Sequence, residues 1–289
     1  MQGVGPPLVT PFDRSGDLDE NKLRQLVNWI VERGVDFLVP CGSNSEAELM
    51  SVDERARVVE VVADEAPDDM YVLAGTGHPG LRETIRQTRL ASKAGADGAL
   101  VVTPFYYKHS DSALLEYYSS LADESSIPIY IYSVPVYTGV KLSVDVVESL
   151  SKHDNIHGMK DSSGDIETFE RECAVTPQGF DMLMGSASVL AHALEAGASG
   201  GILALANVAP ERSSEVFELY KEGRHEEARD LNSRLIELNR AVTSVYGIPG
   251  LKSAMRFRGA PAGYPRKPLR EIDEEDEKRL QKIVKDVAD

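Results

Sequence analysis

The segment GALVVTPFYYKHSDSALLEYYSSLADESSIPIYIY, residues 98–132, holds in one piece the pattern that decides the fold. It opens on the apolar run Gly98–Val102, passes through a helical stretch at Asp111–Ala122 and closes on a second run, Pro128–Tyr132. Short runs that are apolar at successive positions suit strands buried on both faces, the condition of a parallel sheet. Working outward, the same unit recurs in both directions. Further strands are expected at Gly3–Thr10, Asp36–Pro40, Tyr71–Ala74, Asn155–Lys160, Met182–Met184 and Gly200–Ala204. Amphipathic helices fit the intervals at Asp19–Arg33, Ser51–Glu65, Leu81–Lys93, Ser143–Ser151, Asp165–Ala174 and Val189–Ala196. In the first of these Leu23, Leu26, Val27 and Ile30 share a face. Ser51 with Glu54 three residues on has the form of a capping box, and Gly95 stands where the third helix should end.

Strand followed by helix, eight times at intervals of roughly 25–35 residues, predicts an α/β protein of the closed (βα)8 TIM-barrel type. A doubly wound sheet is the rival, but it wants a glycine fingerprint after its first strand, and Thr10-Pro11-Phe12-Asp13 supplies none. The barrel is expected over residues 1–209, with its eighth helix running beyond. Residues 210–289 are expected to form a C-terminal helical extension packed on it, with helices at Pro210–Glu222, Glu226–Ser244, Pro249–Phe257 and Asp273–Val287.

Composition narrows the function classes. The formal net charge is -16, from 47 Asp and Glu against 31 Lys and Arg. Such a field repels phosphate backbones and anionic lipid, so neither nucleic acid nor a membrane surface is an expected partner. The acidity also suits a high-salt cytoplasm. Cys41 and Cys173 make no disulfide framework and no zinc spacing, and the six scattered histidines offer no metal set, so no metal is expected. No apolar stretch has the length of a membrane span, and Met1–Pro7 lacks the regions of a secretory signal, which makes the cytoplasm the expected compartment.

Barrel enzymes carry their chemistry at the C-terminal ends of the strands. That rule selects Ser43 and Asn44 after the second strand, Thr76 after the third, Thr103–Tyr107 after the fourth, Tyr132 on the fifth, Lys160 on the sixth and Gly185-Ser186 after the seventh. Lys160 ends the run Ile156-His157-Gly158-Met159, where a cationic chain is otherwise unwelcome. An ordinary lysine is neutral to roughly one part in a few thousand at pH 7, and desolvation raises that fraction and frees the amine to attack a ketone. The plain alternative is a lysine that reaches solvent or pairs with Asp161. Tyr132, on the neighbouring strand, is placed to relay protons, with Ser43 to hold its phenol. Gly42-Ser43-Asn44-Ser45-Glu46 and Gly185-Ser186 offer backbone N–H groups to a substrate carboxylate, whereas Gly75-Thr76-Gly77-His78-Pro79-Gly80 reads as a tight turn and not a phosphate loop.

These residues lie in motifs that resemble, nearly end to end, the pyruvate-dependent lyases related to dihydrodipicolinate synthase and N-acetylneuraminate lyase. The motifs are Pro7-Leu8-Val9-Thr10-Pro11-Phe12, Gly42-Ser43-Asn44-Ser45-Glu46, Thr103-Pro104-Phe105-Tyr106-Tyr107, Tyr132-Ser133-Val134-Pro135 with Thr138-Gly139, and Gly158-Met159-Lys160-Asp161-Ser162-Ser163-Gly164. The resemblance implies that Lys160 forms a Schiff base and that Tyr132 donates and accepts protons. It implies that Ser43 and Asn44 hold the keto acid's carboxylate, with Ser162, Gly185 and the backbone near Ile202 around it. It further implies that Tyr106 reaches into a neighbouring subunit to complete a hydroxyl relay with Ser43 and Tyr132, in a homotetramer built as a dimer of dimers. No cofactor is implied beyond the covalent imine itself.

Two departures bear on the substrate and the site. Where the synthases carry an arginine for their second substrate's carboxylate stands Tyr137, which cannot form a bidentate ion pair. Ser45 replaces the family's usual glycine, and strain or a reshaped loop is expected if that position needs positive φ. Gly200–Val208 and Gly247-Ile248-Pro249-Gly250-Leu251-Lys252 are most similar to 4-hydroxy-2-oxoglutarate aldolases, and Gly263-Tyr264-Pro265-Arg266-Lys267-Pro268 to 2-keto-3-deoxygluconate aldolases. The expectation is an aldolase that yields pyruvate and an aldehyde. The alternatives are a synthase condensing pyruvate with aspartate semialdehyde, and a silent barrel kept as a binding protein.

Overall fold

The computed structural model describes residues 1–288 of the 289, so Asp289, the last residue of the expected C-terminal extension, lies outside the described residues. Eight strands form one sheet: β1 (Gly3–Gly5), β2 (Phe37–Leu38), β3 (Tyr71–Gly75), β4 (Gly98–Val102), β5 (Ile129–Ser133), β6 (Ile156–Asp161), β7 (Asp181–Met184) and β8 (Gly200–Ile202). All pair in parallel in the order β1-β8-β7-β6-β5-β4-β3-β2. The ring closes between its ends through a parallel bridge from Pro7 to Val39, where the Leu8 N–H donates to the Val39 carbonyl at 3.0 Å. This is the (βα)8 TIM barrel that the strand and helix rhythm predicts.

The helices follow from local sequence. Ser51 and Glu54 form both hydrogen bonds of a capping box, which starts Val52–Glu65 where expected. Leu81–Lys93 ends at Gly95, whose φ of 96° is the left-handed turn that a glycine past a helix end supplies at no steric cost. Leu23, Leu26, Val27 and Ile30 of Glu20–Val31 are fully buried against the sheet and its neighbours. Pro210–Lys221 is the eighth helix of the outer ring, and His225–Arg240, Gly247–Phe257 and Glu274–Ala288 follow it.

Of the boundaries that differ from the sequence reading, three bear on the site. β1 stops at Gly5 and not at Thr10, because Pro6 and Pro7 have no N–H to continue the ladder. β8 stops at Ile202, and the chain turns at once into a 3-10 segment at Ala204–Asn207. The helix expected to run unbroken to Ser244 instead passes at Arg240 into a π-helical turn, Ala241–Val245, and Gly247–Phe257 then starts with Pro249 in its first turn, where a missing N–H costs nothing. That π turn faces the mouth of the barrel.

Inside the barrel, Phe37, Val39, Leu73, Leu100, Tyr130, Tyr132, Leu183 and Ile202 form a cluster separate from the shell between sheet and helices. The period-2 alternation of β5 sends Tyr130 and Tyr132 inward and Ile129 and Ile131 outward. β6 alternates in step. A Cβ on Gly158 would lie 2.7 Å from the Tyr130 ring, so only glycine lets that tyrosine fill the floor. One layer higher, Lys160 faces Tyr132.

Candidate active site

Lys160 and Tyr132 are register partners on β6 and β5, and both are almost fully buried at the C-terminal end of the barrel. The lysine Nζ lies 4.2 Å from the centroid of the Tyr132 ring. A cation over an aromatic face gains from the ring's quadrupole. The alternative pairing with Asp161 does not occur. Asp161 points away from the barrel interior, and its carboxylate accepts from the Ser163 N–H at 3.0 Å and the Ser163 hydroxyl at 2.6 Å.

That outward carboxylate organises the next part of the site. The Asp161 carbonyl accepts from Gly185 N–H at 2.6 Å, and Ser133 O accepts from Ser162 N–H at 2.8 Å, so the ends of β5, β6 and β7 are tied together. A Cβ at Gly185 would sit 1.8 Å from the Ser162 hydroxyl, which explains the glycine. Ser43, Asn44, Tyr132, Tyr137, Lys160, Ser162, Gly185 and Ile202 all line one chamber of about 190 Å³. A second chamber of about 690 Å³ adjoins it and shares Ser43, Asn44, Tyr132 and Tyr137 as its wall. Tyr106 is the expected site residue left out: it is 85% exposed at φ 78°, edge-on to Tyr107.

The expected strain at Ser45 is corrected by the backbone. Ser45 lies in a 3-10 turn, Ser43–Ser45, and the left-handed residue is the next one, Glu46, at φ 60°. A side chain at position 45 is therefore tolerated, and the Ser45 hydroxyl donates to the Leu8 carbonyl, tying this loop to the end of the first strand segment. Gly75 and Gly77 carry no cradle for phosphate. A Cβ on Gly75 would meet the Cys41 carbonyl at 2.0 Å, and one on Gly77 the Val102 nitrogen at 2.6 Å, so both serve close passage of neighbouring backbones.

Sequence reasoning missed the contribution of the C-terminal helices to the site. Asn239, Val242, Thr243, Gly247 and Ile248, from the π turn and its flanks, close the chamber that holds Lys160. The signal available was the Gly247-Ile248-Pro249-Gly250 cluster, unusual at the start of a helix. Cys41, also on the outer chamber, is no rival nucleophile, because burial pushes its thiol up to about 12. Among the described residues no three His, Cys, Asp or Glu side chains gather as a metal site would require. No helix of the described residues is long and apolar enough to cross a membrane.

Behind β6, Glu172 is buried with one carboxylate oxygen unpartnered. Burial, with the nearby Asp161 carboxylate second, raises its pKa from 4.5 to about 8, while Lys141 opposes the shift. Because the folded value exceeds the unfolded one, stability is full below pH 4.5 and falls as pH rises through about 8. Glu172→Gln should therefore melt with the parent at low pH and above it at pH 8, by about 2–4 °C for each kcal/mol relieved. Thermal melts from pH 4 to 9 check this, and a constant gap would refute the assignment.

The sequence matches the model of the Dihydrodipicolinate synthetase family over residues 1–287. It is 37% identical to a DapA-like lyase of Halobacterium salinarum over 288 residues, covering 100% of this chain and 94% of that one. It is also 37% identical to a 4-hydroxy-tetrahydrodipicolinate synthase of Methanothrix thermoacetophila, covering 100% of this chain and 98% of that one. The fold is similar to that of YagE from E. coli K12, solved in complex with pyruvate, with a TM-score of 0.94 and 27% identity across 99% of this chain and 98% of that one.

Proposed function

The chain belongs to the dihydrodipicolinate synthetase family, whose members are pyruvate-dependent lyases, and on that premise we propose that it is a Schiff-base aldolase. In this reading it reversibly cleaves a 4-hydroxy-2-oxo acid or a 2-keto-3-deoxy sugar acid to pyruvate and an aldehyde. Lys160 Nζ attacks the C2 ketone, and the carbinolamine loses water to give a protonated imine. Tyr132, having given its phenol proton to the water that leaves the carbinolamine, takes the proton of the C4 hydroxyl as the C3–C4 bond breaks, and the bonding pair flows into the iminium, leaving the enamine of pyruvate. Protonation at C3 and hydrolysis release the keto acid and return the amine. The iminium is the electron sink, so the scheme calls on no metal or organic cofactor. The observation that carries the reading is the buried Lys160 amine set against Tyr132 at the mouth of the barrel.

Ser43, Asn44, Ser162, Gly185 and the backbone at Ile202 are proposed to receive the carboxylate and keto group, being the polar atoms around that amine. Tyr106 and Tyr107, both largely exposed, fit insertion into a neighbouring subunit, which supports the proposed homotetramer built as a dimer of dimers. The chain is proposed to act in the cytoplasm, with nucleic acid and membranes excluded as partners by its net charge of -16.

The second reading is the synthase direction, condensing pyruvate with aspartate semialdehyde, favoured by the name of the Methanothrix relative. The aldehyde's carboxylate is what separates the two. The arginine that lines the larger chamber, Arg55, is already held by the Ala47 carbonyl, Gln87 and Glu48. Tyr137 offers a neutral phenol at the position the synthases give to arginine. Turnover of glyceraldehyde, which carries no anionic group, should thus exceed that of aspartate semialdehyde, with glyoxylate and glyceraldehyde 3-phosphate as the anionic comparisons. Tyr137→Arg should raise kcat/KM for the semialdehyde by about 10- to 100-fold, the worth of one charged bidentate contact. A parent chain that prefers the semialdehyde overturns the aldolase reading in favour of the synthase.

A further inference from the structure

A second buried lysine lies outside the chemistry described so far. Lys252 is 0% exposed, and its ammonium forms three contacts. It donates to the Thr10 carbonyl at 2.7 Å and the Tyr264 carbonyl at 2.8 Å, and it pairs with the Glu46 carboxylate. With two N–H bonds given to backbone carbonyls and its charge matched by Glu46, this fully buried ammonium is committed within the fold and not aimed at a substrate. The other Glu46 carboxylate oxygen accepts from the Arg266 N–H at 2.7 Å. Burial pulls the Lys252 ammonium down to about 8, and Glu46 is the group that opposes the loss of its proton.

The place of Glu46 in the backbone gives this pair its meaning. Glu46 ends the 3-10 turn that carries Ser43 and Asn44 and begins the next one, Ala47–Leu49. It is the hinge between them, in a left-handed conformation that strains a non-glycine residue. Such a conformation persists only where its surroundings fix it. Here the fixing groups come from the C-terminal extension. Besides the Lys252 and Arg266 contacts to Glu46 itself, the Arg266 guanidinium donates to the Leu49 carbonyl at 2.9 Å and the Gly16 carbonyl at 2.6 Å, and pairs with Glu54. Phe12 is held between the two cations, 4.7 Å from Lys252 and 4.0 Å from Arg266.

We infer that the Glu46–Lys252 pair is a positioning device that fixes the Ser43–Asn44 turn at the height where it captures the carboxylate of the keto acid. The inference rests on the Schiff-base reading and assigns the pair no contact with substrate. Removing one partner of a buried ion pair is destabilising, whereas replacing both is often tolerated. The variants Glu46→Gln, Lys252→Met and the double Glu46→Gln/Lys252→Met are therefore compared, each checked for folding by circular dichroism at the assay temperature. Imine formation is read by borohydride trapping across a pyruvate series. In each folded variant the half-saturating pyruvate concentration should rise by about tenfold or more, while the trapping rate at saturation stays within about threefold of the parent. If the single variants do not fold, the double variant decides. A folded variant with the parent's half-saturation, or one that loses saturated rate alone, overturns the inference and leaves the Schiff-base reading intact. A parent chain that traps no pyruvate overturns that reading first.

Discussion

Lys160→Ala is expected to lose aldol turnover by about 10⁵-fold or more, because removing a covalent nucleophile removes every later step with it. The lysine is the end of a short chain of necessity. β6 alternates, so Gly158 and Lys160 face the barrel interior while Met159 and Asp161 face the helices. Gly158 leaves its space to Tyr130, and Lys160 is then the inward residue of β6 at the mouth. Alanine at 160 would leave the strand intact, so circular dichroism should be unchanged while steady-state cleavage of a 4-hydroxy-2-oxo acid vanishes. Retention of more than about a hundredth of parental turnover would point to a different nucleophile or to none.

Tyr132→Phe should separate imine formation from bond cleavage. The phenyl ring preserves the aromatic face 4.2 Å from the lysine Nζ, so the amine's surroundings change little. What is lost is the hydroxyl, and with it the proton relay proposed at the C4 oxygen. General acid–base groups typically contribute about 10²–10⁴-fold, so turnover should fall by that range while borohydride still captures pyruvate. Stopped trapping and steady-state assays on the same preparation distinguish the two steps. Equal loss of both would place Tyr132 in imine formation and not in cleavage.

The barrel was legible because its signals are local. Each strand is a run of apolar residues, each helix has its own periodicity, and Ser51 with Glu54 or Gly95 mark ends within a few residues. Strand lengths were less legible, since Gly3–Thr10 reads from its residue types as one strand yet Pro6 and Pro7 withhold the donors that would make it a ladder. Lys160, Tyr132, Ser43, Asn44 and Gly185 follow from the rule about strand ends, Ser162, Ile202 and Tyr137 from the family resemblance, and the structure brings all eight to a single chamber, whereas Thr76 and Thr103, which the same rule selects, lie outside it.

What the sequence hid depends on distance along the chain. The Gly247-Ile248-Pro249-Gly250 cluster marks an unusual helix start, but nothing near Thr243 announces that a π turn lies over the barrel mouth, since that follows from how His225–Arg240 packs on the outer helices. Ser45 invited a strained reading because the glycine it replaces suggested a left-handed position, whereas the positive φ belongs to its neighbour Glu46. Glu46 in turn is read from sequence only as the last residue of the Gly42–Glu46 loop. Its burial against Lys252 becomes visible only once the C-terminal extension is folded back on the second loop.

Incubation of the parent chain with pyruvate and borohydride, followed by peptide mapping, tests the chemistry most directly. The expected result is one reduced pyruvate adduct, confined to the peptide that contains Lys160 and absent from Lys160→Ala. No adduct at all, or an adduct on Lys252 or on surface lysines in place of Lys160, would contradict it.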